Sequence, residues 1–418
     1  MQTLITVTRT GPTAGVSTVD YTVNNATATQ RGDFTYASGT VVFAANETSK
    51  TFPVLISEDG YTEGTESATV QLTNASAASV GTPSAASLQI QDNDFLAVVL
   101  NPIDDAATFV GQHYHDFLNR QADASGQTFW TNQISACGNN ASCLDEKRTN
   151  VSAAFFLSVE FQNTGYFAFR FYRASFADNG QRPRGVPRYL EFLRDEQKLQ
   201  DHVVVGDPNW EAFLEQNKQG FALDWVDRAD FVAEYPTTMT RDEYIDKLFT
   251  RSGATPTVQE RNQALFAYDS GGSQKEKRAR GIRAVIDTGA VYNAQYNPAF
   301  VLMQYFGYLR RNPNNAPDNN FSGYDFWLNK MNQFSVGGED VRDANVALAR
   351  VKRAEMVKAF IVSGEYRGRF GNSGDGSRGQ QFGPITEPPP EASWRSPLGS
   401  VATALRLAFL PTFSVRIG

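Results

Sequence analysis

An internal repeat constrains this chain more than any single element does. Tyr114-His-Asp-Phe-Leu-Asn-Arg120 returns as Tyr305-Phe-Gly-Tyr-Leu-Arg-Arg311, and each copy is followed by a polar turn. Then comes Gly-x-x-Phe-Trp, at Gly126, Phe129 and Trp130 and again at Gly323, Phe326 and Trp327. A later echo sets Phe156-Leu-Ser-Val-Glu160-Phe161 against Ile361-Val-Ser-Gly-Glu365-Tyr366. Two weaker units between them, at 171–235 and 244–292, keep helical spacing and lose the Phe-Trp pair. Units of this kind bury an aromatic seam only by packing on a neighbour, which predicts a mainly helical repeat region with the Phe-Trp pairs in its core.

The spacing inside the units is helical. Val110, Tyr114, Phe117 and Leu118 fall at i, i+4, i+7 and i+8, the pattern of a helix burying one face. Residues 191–199, 244–249, 300–309 and 347–361 read the same way. Asp123 and Asn315 stand between successive helices and suit N-cap or turn roles. The arginine before each turn is expected to bond the last helix carbonyls. His113-Tyr-His115 reads as surface polarity at a helix start, because the three histidines of the chain, His202 included, do not make a zinc set.

Residues 1–95 obey a different period. Short runs rich in Val, Thr and Ile at 4–10, 17–23, 40–44, 51–56, 67–72 and 86–90 are separated by turn sequences such as Arg-Gly-Asp and Glu-Asp-Gly. Regular short strands predict an all-β sandwich. A length of 418 residues also exceeds what one core usually serves. The reading is therefore a multidomain chain: a β-sandwich at 1–95, a linker at 96–107, a helical region at 108–371 that is strongest at 110–163 and 298–371, and a Gly/Pro-rich linker and tail at 372–418.

Charge separates the same parts. Residues 1–95 hold three basic side chains against nine acidic ones, so the sandwich carries six of the seven net negative charges. Such a domain repels phosphate backbones and is suited to a hard cation, which excludes nucleic acid as its partner. Cys137 and Cys143 flank Gly-Asn-Asn, a turn that lets the sulfurs meet; a disulfide is favoured over two free thiols and fits an oxidising compartment. No run of about 18 apolar residues exists to span a membrane. The opening residues read as a strand rather than a secretory leader.

Residues 2–95 resemble a Calx-beta domain, a calcium-binding Ig-like sandwich. The matching stretches include Gly32-Asp-Phe34, Gly39-Thr-Val-Val-Phe43, Glu58-Asp-Gly-Tyr-Thr-Glu63-Gly-Thr-Glu66 and Gln91-Asp-Asn-Asp94. The resemblance implies a Ca²⁺ site at one end of the sandwich, built from Asp33, Glu58, Asp59, Glu63, Glu66, Asp92 and Asp94. Six to eight oxygens at about 2.3–2.6 Å are what calcium takes, and carboxylates from separate loops supply them. Asn93 stands where the family often has a third Asp. The chain also opens one strand later than the family pattern, so an unpaired sheet edge is expected.

Residues 108–371 resemble the bacterial domain-of-unknown-function 4214 family, through Tyr114–Trp130 with Phe155–Phe161 and Tyr305–Trp327 with Phe360–Tyr366. That family occurs in secreted and surface-layer-associated bacterial proteins and has no established catalysis. The resulting expectation is a non-enzymatic, calcium-binding extracellular or cell-surface protein, structural or adhesive, with a protein or glycan partner. No Gly-x-Ser-x-Gly, His-Glu-x-x-His or phosphate-loop pattern appears. Two alternatives stand beside it: a calcium-dependent carbohydrate-binding or degrading protein using Trp130, Trp210, Trp225 or Trp327, and an assembly-linker scaffold.

Overall fold

The computed structural model describes residues 1–94, 101–371, 404–406 and 414–416. Part of the expected linker and tail, at 96–100, 372–403, 407–413 and 417–418, lies outside the described residues. The chain divides into two compact units, Met1–Lys147 with Ile361–Gly418, and Arg148–Phe360.

In the first unit the strands are β1 (Gln2–Arg9), β2 (Ser17–Asn25), β3 (Ser38–Phe43), β4 (Ser49–Leu55), β5 (Glu66–Ser76), β6 (Ser79–Val80), β7 (Ala85–Gln91), β8 (Ala404–Arg406) and β9 (Ser414–Arg416). They form two sheets, ordered β4-β1-β8-β6 and β3-β2-β5-β7-β9. Alternation decides which side chains meet between the sheets. In β1, Ile5 and Val7 are buried while Leu4, on the opposite face, is half exposed. The core gathers Val19, Val23, Phe34, Phe43, Phe52, Val54, Val70, Leu88 and Ile90. Arg9 is buried too, and its guanidinium satisfies the carbonyls of Thr13, Gly15 and Ala44 and the Ser17 hydroxyl.

The sheet edge expected to stand unpaired is met by the tail. Thr8 and Arg9 of β1 pair with β8, and Gln89–Gln91 of β7 pair with β9. A row of open N–H and C=O groups is a template for any extended segment, and here the same chain supplies one.

The helix Ala106–Leu118 follows, its N-cap Asp105 accepting from the Thr108 N–H and its end set by Asn119 in the left-handed region at φ 47°. Both His113 and His115 lie well inside this helix and are buried, His113 Nδ1 sitting 2.7 Å from the Phe109 carbonyl. This corrects the surface reading: at i and i+2 of a helix that is covered nearly all round, polarity alone does not turn a residue outward. Asp123 caps the helix Ala124–Ser135 as expected, accepting from the Gly126 N–H at 2.7 Å.

Aromatic packing builds the second unit around the helix Gly165–Ser175, whose Tyr166, Phe167, Phe169, Phe171 and Tyr172 are all buried. Trp225, also buried, meets Phe171, Tyr172, Phe176 and Phe221, and its indole N–H donates to the Ser175 hydroxyl at 2.9 Å. That removes it as a sugar-stacking platform. Three successive helices, Arg241–Ser252, Val258–Asp269 and Gln274–Ile286, start with a capping box, Thr240 with Glu243, Thr257 with Glu260 and Ser273 with Glu276.

The two strong motif copies share local devices. Tyr114 faces Gly126 and Tyr305 faces Gly323, with Arg120 and Arg311 over the two tyrosine rings. The arginine side chains reach carbonyls of the turns, Gln121 for Arg120 and Asn312, Pro313 and Asn315 for Arg311, while their backbone N–H groups donate to the Tyr114 and Tyr305 carbonyls. Asn315 is not an N-cap either: the next helix is Ser322–Gln333, and Asn315 stays inside the longer turn, accepting from Asn312. Phe129 and Phe326 are exposed at 54% and 60%, against the expectation of a core position. Neighbours on a helix point about 100° apart, and at the edge of these helices' buried faces one member of each Phe-Trp pair is left outside. The half-buried member is Trp130 or Trp327.

Candidate metal centre

Three backbone segments at one end of the sandwich carry the acidic residues. In the first, the Asp33 N–H donates to the Thr29 carbonyl while its carboxylate accepts from the Thr29 N–H at 2.6 Å and the Thr29 hydroxyl at 3.2 Å. This turn is tied to the next segment by the Ser57 N–H, which donates to the Asp33 carbonyl at 2.9 Å. The second segment runs from Ser57 to the start of β5, and there Asp59 accepts from the Tyr61 N–H at 2.9 Å. In the third, just past β7, Asp92 accepts from the N–H groups of Glu63 and Gly64 with one oxygen and of Asp94 with the other. Pairing of Glu66 with Ile90 puts the ends of β5 and β7 side by side.

Oxygen atoms of Asp33, Glu63 and Glu66 all lie within 4.8 Å of one another. Together with Asp59, Asp92, Asp94, Ser57, Tyr61 and Asn93 they line one pocket. No Lys, Arg or His is among the described residues lining it. Glu58 lies outside this lining, its carboxylate bonded to the Asn93 side chain. The resemblance placed it with its neighbour Asp59; in the structure the Asn93 side chain holds its carboxylate. Ser57 and Tyr61 were not singled out from the sequence. Their signal was position alone, flanking Asp59 at two residues on either side.

The electrostatics fit a cation. Burial, then the charges of Glu63, Asp33 and Asp94, push the Asp59 carboxyl up to about 8. Burial and Asp33 do the same to Glu63, to about 7, and to Glu66, to about 8. Burial also raises Glu58 and Asp94. For Asp92 burial is outweighed by its three backbone N–H donors, which hold it below the usual carboxylate range. Carboxylates clustered this way either retain protons near neutral pH or share a positive ion. Hard oxygens from separate segments, without nitrogen or sulfur, are the donors calcium takes.

Cys137, just past the helix Ala124–Ser135, forms a disulfide with Cys143 in the first turn of the helix Ala141–Leu157, their Cα atoms 5.5 Å apart.

Two family models match parts of the chain. A family model for the Calx-beta domain matches residues 1–94, and one for a domain of unknown function, DUF4214, matches residues 101–165. Neither is an enzyme family. Similar solved structures include the calcium binding domain CBD12 of CALX1.1, at 24% identity and TM-score 0.23 over 23% of this chain and 41% of that one. The apo-form Calx CBD1 domain matches at 24% identity and TM-score 0.22, over 22% of this chain and 83% of that one. The Calx CBD2 domain matches at 30% identity and TM-score 0.17, over 18% of this chain and 46% of that one. The chain thus spans about two fifths of the first of these structures. No curated protein matches it. In order along the sequence, a Calx-beta family model thus matches residues 1–94 and a DUF4214 model residues 101–165.

Proposed function

We propose that this protein is a non-enzymatic calcium-binding structural protein of the cell surface or extracellular space, acting in adhesion or envelope assembly. The observation that carries the reading is the convergence of Asp33, Glu63 and Glu66 within 4.8 Å in a pocket lined by further carboxylates. Asp33, Asp59, Glu63, Glu66, Asp92 and Asp94 would hold the ion, which supplies the positive charge that lets them ionise together. The disulfide between Cys137 and Cys143 supports an oxidising compartment. No helix among the described residues is long and apolar enough to cross a membrane.

The test is thermal unfolding in calcium and in chelator. An ion at about 100 times its Kd stabilises the folded state by about 2.7 kcal/mol, or a shift of roughly 5–10 °C. The shift is expected to vanish in a D59N/E63Q variant. Equal midpoints in calcium and chelator would sink the reading.

A glycan-contact reading has one specific support. Phe129 and Phe326 are solvent-exposed at equivalent motif positions, each edge-on to its half-buried Trp. Binding on a glycan array that F129A and F326A abolish would favour it over protein-mediated adhesion.

A further inference from the structure

The two turns that present Asp33 and Asp59 to the pocket also hold residues 361–371 on their outer side. Arg31, two residues before Asp33, pairs with Glu365 at 2.7 Å, and the Arg31 carbonyl accepts from Arg369 Nε at 3.2 Å. Gly60, beside Asp59, donates its N–H to the Phe370 carbonyl at 2.8 Å. The Tyr61 hydroxyl donates to the Gly368 carbonyl at 2.9 Å while its own N–H serves the Asp59 carboxylate. A Cβ at Gly60 would stand 3.3 Å from Pro102 and 3.6 Å from the Phe370 carbonyl, so this approach is close at the level of the backbone.

Pocket and outer contacts are therefore one or two residues apart on the same short turns. Like charges without a counter-ion drive their turns apart, and a shared divalent ion draws them to one centre. A shift of the Asp33 or Asp59 carboxylate must carry Arg31, Gly60 and Tyr61 with it. We propose that the pocket and these contacts form a cation-linked clasp, in which binding of a divalent ion sets the two turns in the arrangement that holds residues 361–371. The inference rests on the calcium reading above. Linkage makes it reciprocal: loss of the clasp weakens the ion by the factor by which the ion strengthens the clasp.

The experiment uses the full chain with calcium chloride or with EGTA. Amide hydrogen exchange is followed at 361–371, and calcium binding is followed separately by titration calorimetry. Calcium is expected to slow exchange at Gly368, Phe370 and their neighbours by about tenfold or more. A Y61F/E365Q variant keeps every pocket carboxylate and is expected to bind calcium about fivefold more weakly or worse. Heat of binding with unchanged exchange at 361–371 would overturn the clasp and leave the calcium reading standing. So would a folded variant that binds as tightly as the parent. Absence of any binding heat would overturn both. The exchange comparison is made on the unaltered chain, so it holds even where the variant fails to fold.

Discussion

The guanidinium of Arg369 meets the carboxylate of Asp116 through two hydrogen bonds of 3.1 and 3.2 Å, with neither side chain reaching solvent. The two are 253 residues apart in sequence. A buried pair of this kind adds little net stability over apolar neighbours, but breaking it strands a charge. D116N is therefore expected to cost about 3–5 kcal/mol, read as a lower urea midpoint, with D116L/R369M restoring much of it. A D116N midpoint equal to the parent's would refute the pair's isolation from water.

Proton binding follows from the pocket. Asp59 and Glu66 stand at about 8 and Glu63 at about 7 in the folded protein. Their unfolded values lie near 4. Between roughly pH 4 and 8 the metal-free folded state holds more protons than the unfolded one, so its stability falls as pH rises through that window. Unfolding in EGTA should then occur at a higher temperature at about pH 5.5 than at about pH 8.5, a difference that shrinks in D59N/E66Q. Calcium displaces the same protons, so its affinity climbs over this range. Calcium affinity that is flat with pH would contradict the assignment.

Gly126 and Gly323 are required by tyrosines. A Cβ at Gly126 would run into the Tyr114 hydroxyl, and one at Gly323 would fall 2.6 Å from that of Tyr305. Both rings are buried, so neither can swing clear cheaply. G126A is expected to destabilise by about 1–3 kcal/mol, and Y114F in the same chain to recover most of that loss. Failure of the recovery in a double-mutant cycle would assign the cost to something other than the hydroxyl.

The disulfide closes a short loop, with six residues of sequence separation. Loop-closure entropy for so few residues is worth about 2 kcal/mol. C137S/C143S should lower the unfolding midpoint accordingly, and thiol titration of the unreduced parent should find no free cysteine. Two titratable thiols in protein purified without reductant would contradict this.

Much of the architecture is local and so could be read along the chain. Period-two alternation marks β1, β2, β5 and β7, because a strand's own neighbours decide which side chains turn inward. The cap at Asp123 and the acidic turn Glu58-Asp-Gly-Tyr-Thr-Glu63 are equally local. The resemblance implied Asp33, Glu58, Asp59, Glu63, Glu66, Asp92 and Asp94, but no pattern along the chain says which carboxylates face one centre. Folding set the Glu58 carboxylate against the Asn93 side chain. It also left Phe129 and Phe326 exposed beside a half-buried Trp. His113 and His115 went inside because their helix is covered on nearly every face.

Sequence alone determined the division into an acidic β part and an aromatic helical part, since periodicity and charge are properties of neighbouring residues. Tertiary structure decided that residues 361–371 lie against the turns bearing Asp33 and Asp59. That choice rests on contacts such as Arg31 with Glu365, 334 positions apart, and no pattern along the chain encodes a pairing that exists only after both ends have folded.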